Sequence, residues 1–171
     1  MVKNILQRKD NENGVWCALA VVRILIGAIF LWAFFDKLLG LGFATPAAKA
    51  WVNGGSPTTG FLKGVEGPFA EFFNILASQP WADWLFMLGL LGIGVGLILG
   101  IAVRLSVVSG SVLLLCMWMA SLPLATNPVI DDHIVYIAVL VAIGYGIHQQ
   151  KWSLAPWWQK VPIIKRHYWL Q

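Results

Sequence analysis

Charge is what this sequence has least of: twelve Lys and Arg and eight Asp and Glu in 171 residues, 12% of the chain. An ordinary soluble domain carries about twice that share. The few cations do not form one groove with interleaved aromatics, which excludes a nucleic-acid-binding surface. Cysteine is scarce as well, with only Cys17 and Cys116. No C-x-x-C pair exists, so a thiol-disulfide carrier is excluded. Cys17 falls near one end of its apolar run and Cys116 near the opposite end of another. At about 1.5 Å per residue their depths differ by more than about 10 Å, too far for a disulfide. His133, His148 and His167 are the only histidines, and they do not pair at matching depth as a haem would need. No flavin, iron-sulfur or nucleotide motif is present, no cluster suited to a metal, and no repeat or low-complexity segment.

What fills the space is carbon. Hydrophobic residues make up 58% of the chain, with a mean hydropathy of +0.73. A membrane-crossing helix needs about 20 mostly apolar residues, and four stretches qualify: Val15 to Phe35, Trp84 to Val103, Leu105 to Leu122 and Val129 to Gly146. The expected fold is therefore all-α, one domain built as an integral membrane four-helix bundle. The first run is too long for a secretory signal and lacks a small-x-small cleavage site.

Charge distribution orients it. Lys3, Arg8, Lys9, Arg104, Lys151, Lys160, Lys165 and Arg166 fall on one side, and Lys37, Lys49 and Lys63 on the other. By the positive-inside rule both termini are expected in the cytoplasm. Tryptophans mark both interfaces, with Trp16, Trp152, Trp157 and Trp158 at the inner ends and Trp32, Trp81, Trp84 and Trp118 at the outer ends.

The first connection, residues 36–83, is too long for a tight loop. Thr45-Pro46 and NGGSPTTG at 53–60 mark turns, with room for a short helix over Phe43 to Val52. After Gly67-Pro68, the residues Phe69, Phe72, Phe73 and Leu76 have amphipathic helical spacing. That outer helix is expected to lie at the membrane interface, as an anchor or as a lid over a ligand. Gly92, Gly96 and Gly100 stack on one face of the second span, for close helix approach or to leave room for a flat ligand. VRLS allows only a tight turn, making spans two and three antiparallel neighbours. The aromatic and cationic tail suits anionic lipid or a soluble partner.

Arg23 stands out. It lies about 12 Å inside its span, and the spans contain no acid to pair with it. Intramembrane charges face the bundle interior or a pathway. Two kinds of partner stay open: hydroxyls and carbonyls of the bundle (Ser106, Ser109, Ser111 and Tyr145 among them), or a bound molecule. At the outer rim gather Asp36, Lys37, Asp83, Asp131, Asp132 and His133, with Trp32, Trp81 and Trp84 nearby. Such a rim suits a quinone, whose ring stacks and whose oxygens take protons on reduction, and it equally suits the joining of helix ends, since acids favour a helix start.

Three patterns in order carry a resemblance: R-x-L-x-G-x-x-F-x-x-x-x-x-D-K-L from Arg23 to Leu38, I-G-x-x-L-x-x-G-x-x-x-R-L from Ile93 to Leu105, and N-P-x-x-D-D-H from Asn127 to His133. Together they resemble the DoxX/DoxD membrane proteins, from about Val15 to His148. The resemblance implies a four-helix subunit of the cytoplasmic membrane of a prokaryote. It also implies a quinone-linked redox role, either like that of the membrane part of thiosulfate:quinone oxidoreductase or in redox homeostasis. Where relatives often have glutamate in G-E-x-x-I-G, this chain has Leu90. The expected site comprises His133 and Asp132 as catalytic residues, His133 carrying protons because its unperturbed pKa is nearest neutrality, with Arg23, Asp36, Lys37 and Trp32 binding quinone. Quinone enters as substrate, with no tightly bound cofactor. Membrane lipid and a soluble or peripheral redox subunit are the expected partners, and the chain has the option of oligomerising. The rival expectation is a non-catalytic membrane scaffold or small-molecule permease.

Overall fold

A computed structural model describes the backbone of residues 2–77 and 79–170 and the side chains of 12–77, 79–167, 169 and 170. The side chains of Lys3, Arg8 and Lys9, used above to orient the chain, lie outside the described residues. Every regular element among the described residues is helical. Four helices pack side by side: α1 (Val2–Leu39), then, after two short helices α2 (Thr59–Lys63) and α3 (Ala70–Leu76), α4 (Pro80–Leu99), α5 (Val103–Ala120) and α6 (Asp132–Tyr145). Two short tail helices follow, α7 (Ala155–Trp158) and α8 (Pro162–Arg166). α1 packs on α4, α4 on α5, α5 on α6, and α6 closes back against α1. Two ends result: a loop end, with residues 40–77 and the start of α6, and a tail end, with the carboxyl end of α4 and residues 147–170.

Three of these helices are long and apolar enough to cross a membrane: Glu12–Leu39 within α1, α4 and α5. The fourth, α6, is apolar but has only 14 residues, shorter than the expected 129–146. Apolar residues coat the outside too. Along α1, Val21, Leu25, Ile29, Trp32, Phe35 and Leu39 are all exposed, a stripe at helical spacing of the kind that marks a membrane or protein contact. The inward face supplies Ile26, Phe30 and Phe34, which meet Met87, Leu90, Ile93 and Leu97 of α4, Leu114 of α5, and Leu140 and Ile143 of α6.

Helix ends follow local chemistry. Pro80 opens α4, where a missing N–H costs nothing. Gly100, at φ +67°, ends it in the left-handed conformation that glycine adopts freely. Asp131 caps α6, its carboxylate accepting from the backbone N–H groups of His133 and Ile134. Of the glycine stripe predicted at 92, 96 and 100, Gly92 makes no helix contact: a Cβ on it would meet nothing within 4 Å. The close crossing is between Gly27 of α1 and Gly94 of α4, where a Cβ on either would come within 3.0 Å of the other's carbonyl oxygen. Gly96 does serve packing, against the Ser106 hydroxyl of α5.

The long connection is compact. Between Phe43 and Val52 it forms 3-10 turns, Ala47–Lys49 and Trp51–Asn53, rather than one helix. The Asp83 carboxylate of α4 accepts from the Ser56 hydroxyl at 2.8 Å and from the Thr58 hydroxyl and N–H at 2.6 and 3.1 Å, fastening the NGGSPTTG turn to the bundle. Of the predicted stripe, only Phe73 is buried, in a small core with Val65 and Ala120 against which Leu76 packs; Phe69 and Phe72 stay exposed. The segment thus rests on the end of α5 through α3.

Candidate functional site

Arg23 belongs to the tail end. Its Nη1 donates to the carbonyl oxygens of Leu97 and Ile98, the latter at 3.4 Å, and its Nη2 to those of Lys151 and Trp152 at 3.2 and 2.9 Å. The last carbonyls of any helix lack an intrahelical donor and carry the negative end of its dipole, so a guanidinium here answers both needs of α4. The residue is 1% exposed. The cavity beside it measures about 10 Å³, at most the room of one water. Of the two kinds of partner open to Arg23, the structure supplies backbone carbonyls, and none of the four hydroxyl candidates bonds to it.

Asp36 is likewise spoken for. It is 2% exposed, and its carboxylate accepts from the N–H groups of Phe43 and Ala44 at 3.3 and 3.1 Å, folding the chain back after Gly40. Trp32 faces outward, half exposed, its ring edge-on to Phe43 with centroids 5.0 Å apart. It does not line a cavity among those described.

Lys37, Asp132 and His133 do come together. They line one cavity of about 230 Å³ between α1, α4, α5 and α6 at the loop end. The remaining wall is Ile26, Ile29, Phe30, Ala33, Phe86, Leu90, Leu114, Met117 and Tyr136. Leu90, at the place where the resemblance puts a glutamate, is part of this wall. The site is apolar with polar groups gathered at one end, the usual build of a small-molecule pocket. The Lys37 Nζ stands 5.9 Å from the centroid of the Phe86 ring, a cation-π distance.

His133 is held by Asp131, which the expected site left out. Its Nδ1 lies 2.7 Å from the Asp131 carboxylate, so an Nδ1–H donated there fixes the ring and leaves Nε2 free to exchange a proton. Burial pushes the Asp131 carboxyl up, but the His133 ring bond, the Ile134 and His133 N–H groups and the nearby imidazole outweigh it and hold the carboxyl below its ordinary 3.8. Asp132 is exposed at the cavity mouth. Tyr136 was readable in the sequence, one helical turn beyond His133 and on its face. Phe86 and Met117 carried no signal that set them apart from other apolar residues.

Beside this cavity lies a second, of about 250 Å³, beneath the residue 57–76 segment. It is lined by Thr58, Leu62, Phe73, Leu85, Leu113 and Cys116 among others, and it shares Lys37, Phe86 and Met117 with the first.

Comparison with protein-family models, with curated proteins and with solved structures finds no match for this chain.

Proposed function

We propose that the protein is a four-span membrane subunit of the DoxX/DoxD type that binds a quinone at its loop end and serves a quinone-linked redox system. Both termini lie in the cytoplasm and α3 sits at the outer interface. The observation that carries this reading is the first cavity: apolar walls with Lys37, Asp132, His133 and Tyr136 gathered at one end. A quinone ring needs such walls, and its oxygens need donors and protons. Lys37 donates to one oxygen, His133 delivers protons from Nε2, and Asp132 at the mouth exchanges them with water.

Thiosulfate as donor balances the reaction: two thiosulfate ions join through a new S–S bond as tetrathionate and release two electrons. The quinone takes those electrons with two protons to become quinol. Electrons reach the quinone through a peripheral subunit that holds the redox centre. In a permease, by contrast, the cavity would continue toward the tail end, where the space beside Arg23 is about 10 Å³.

The test is a titration of the purified protein with a fully substituted benzoquinone. His133→Gln and Lys37→Met are each expected to weaken binding about tenfold, the worth of one hydrogen bond to a polar ligand. An unsaturable titration, or variants that bind like the parent, would overturn the reading.

A further inference from the structure

Two adjoining cavities share three wall residues, and their chemistry differs. The first has its polar groups at one end. The second, apart from the Lys37, Thr58 and Trp81 side chains, is walled by carbon and the sulfurs of Cys116 and Met117. Size decides how to read them. Small-molecule sites run from about 300 to 1,000 Å³, and either chamber alone, at about 230 or 250 Å³, falls short. Joined, they enter that range.

Lys37 points the same way. Its ammonium faces the Phe86 ring; Asp36, the carboxylate that acts on it through charge, makes no ion pair with it among the described residues and accepts instead from the Phe43 and Ala44 N–H groups. A cation on a membrane-crossing helix is costly unless something polar meets it. An oxygen of a ligand lying between the two chambers would do so.

We infer that the two chambers form one site for a tailed ligand, with its polar ring in the first chamber and its hydrocarbon tail threaded past Phe86 and Met117 into the second. Resting on the quinone reading, this makes the substrate a prenyl-tailed quinone of the membrane rather than a short, water-soluble one. The α2–α3 segment is then the roof of the tail chamber, since Leu62, Phe73 and Leu76 line it. Asp83 matters as the clamp that keeps this roof in place.

Cys116 is a built-in reporter because its side chain lines the tail chamber alone. In a Cys17→Ser background, the rate of Cys116 alkylation by a small apolar maleimide is measured with three probes: a fully substituted benzoquinone with only a methyl in place of the tail, the same ring with a farnesyl tail, and the farnesyl hydrocarbon without a ring. At ten times its Kd the tailed quinone is expected to slow alkylation about tenfold, while the methyl quinone binds without slowing it. The bare hydrocarbon protects far less.

Ala82→Phe, which fills the tail chamber from α4, is expected to abolish the advantage of the farnesyl quinone and leave the methyl quinone's affinity within about twofold, a surface-scale effect. Leu85→Trp does the same from the neighbouring position should the first variant not fold. If methyl and farnesyl quinones bind alike and neither protects Cys116, the two-chamber site is overturned while quinone binding stands. If no quinone binds and the bare hydrocarbon protects Cys116, the second chamber is an acyl-chain pocket, and both the tailed-quinone inference and the quinone reading fall.

Discussion

Arg23 stands where the last turn of α4, with its unpaired carbonyls, meets the start of the tail. Four carbonyl oxygens from two separate segments converge on one side chain, and only a planar fork with several donors serves them together. Arg23→Met leaves these oxygens without a donor in a water-poor site. At about 1.5–3 kcal/mol for a hydrogen bond to a charged group, the loss is expected to exceed about 3 kcal/mol even without full additivity. Arg23→Lys recovers only part, because a point ammonium does not span both segments. Thermal unfolding in detergent reads the order Arg, Lys, Met. Quinone affinity of folded Arg23→Lys equal to the parent's separates this stapling role from ligand binding. Such a role was only half legible in the sequence: the oddity of the arginine was plain, but its partners are backbone oxygens, which every residue has and no residue letter announces. Asp131 was easier to read, as an acid at a helix start. Its carboxyl is held below 3.8, so its stabilising share is complete above that unfolded value and is lost as pH falls through the lower folded value. Asp131→Asn is expected to flatten the acid limb of a plot of melting temperature against pH and to leave the neutral region shifted by a near-constant amount. An unchanged acid limb would mean that the carboxylate contributes nothing.

At the scale of elements, the apolar runs located the four helices but misplaced their ends. α4 starts at Pro80 rather than Trp84, and α5 at Val103 rather than Leu105, because proline and a left-handed turn at Gly100 set the limits and hydropathy does not see them. Which glycines form the α1–α4 crossing was also hidden. A spacing of four places Gly92, Gly96 and Gly100 on one face, yet a face has no direction until its neighbour is known. α1 lies on the side of Gly94, so the α1–α4 contact depends on Gly27 and Gly94 and not on Gly92. Gly94→Leu is expected to push the helices apart and cost about 1–3 kcal/mol as overpacking. Gly92→Leu, meeting open space, is expected to change stability by less than about 0.5 kcal/mol. Equal losses from the two substitutions, measured by thermal unfolding, would show that the crossing lies elsewhere.

For the whole molecule, the number of crossings turns on α6. Three helices meet the length of a bilayer, and the fourth, at 14 residues, spans only about 21 Å against a core of about 30 Å. With three crossings the tail would lie opposite the amino terminus; with four, on the same side. The four crossings proposed above rest on the connections. The Leu154 N–H donates to the Leu99 carbonyl at 2.9 Å, the Ser153 hydroxyl to that of Gly100 at 3.0 Å, and Arg23 ties Trp152 to the same turn. The tail is therefore fastened to the carboxyl end of α4, on whichever side α4 emerges. α5 leaves that end and α6 must bring the chain back to it. Beyond the two ends of α6, Trp118 Nε1 donates to the Val129 carbonyl and a 3-10 turn runs over Ile147–Gln149. The positive-inside expectation, with both termini on one side, is consistent with that proposal. The expected outcome, with native cysteines replaced by serine, is that Asn53→Cys reacts with a membrane-impermeant maleimide in intact cells and Gln159→Cys reacts only after lysis. Both positions are exposed, so burial does not mask the result. Reaction of Gln159→Cys in intact cells together with Asn53→Cys would mean that α6 does not return the chain, and that the bonds joining the tail to α4 do not form in the membrane.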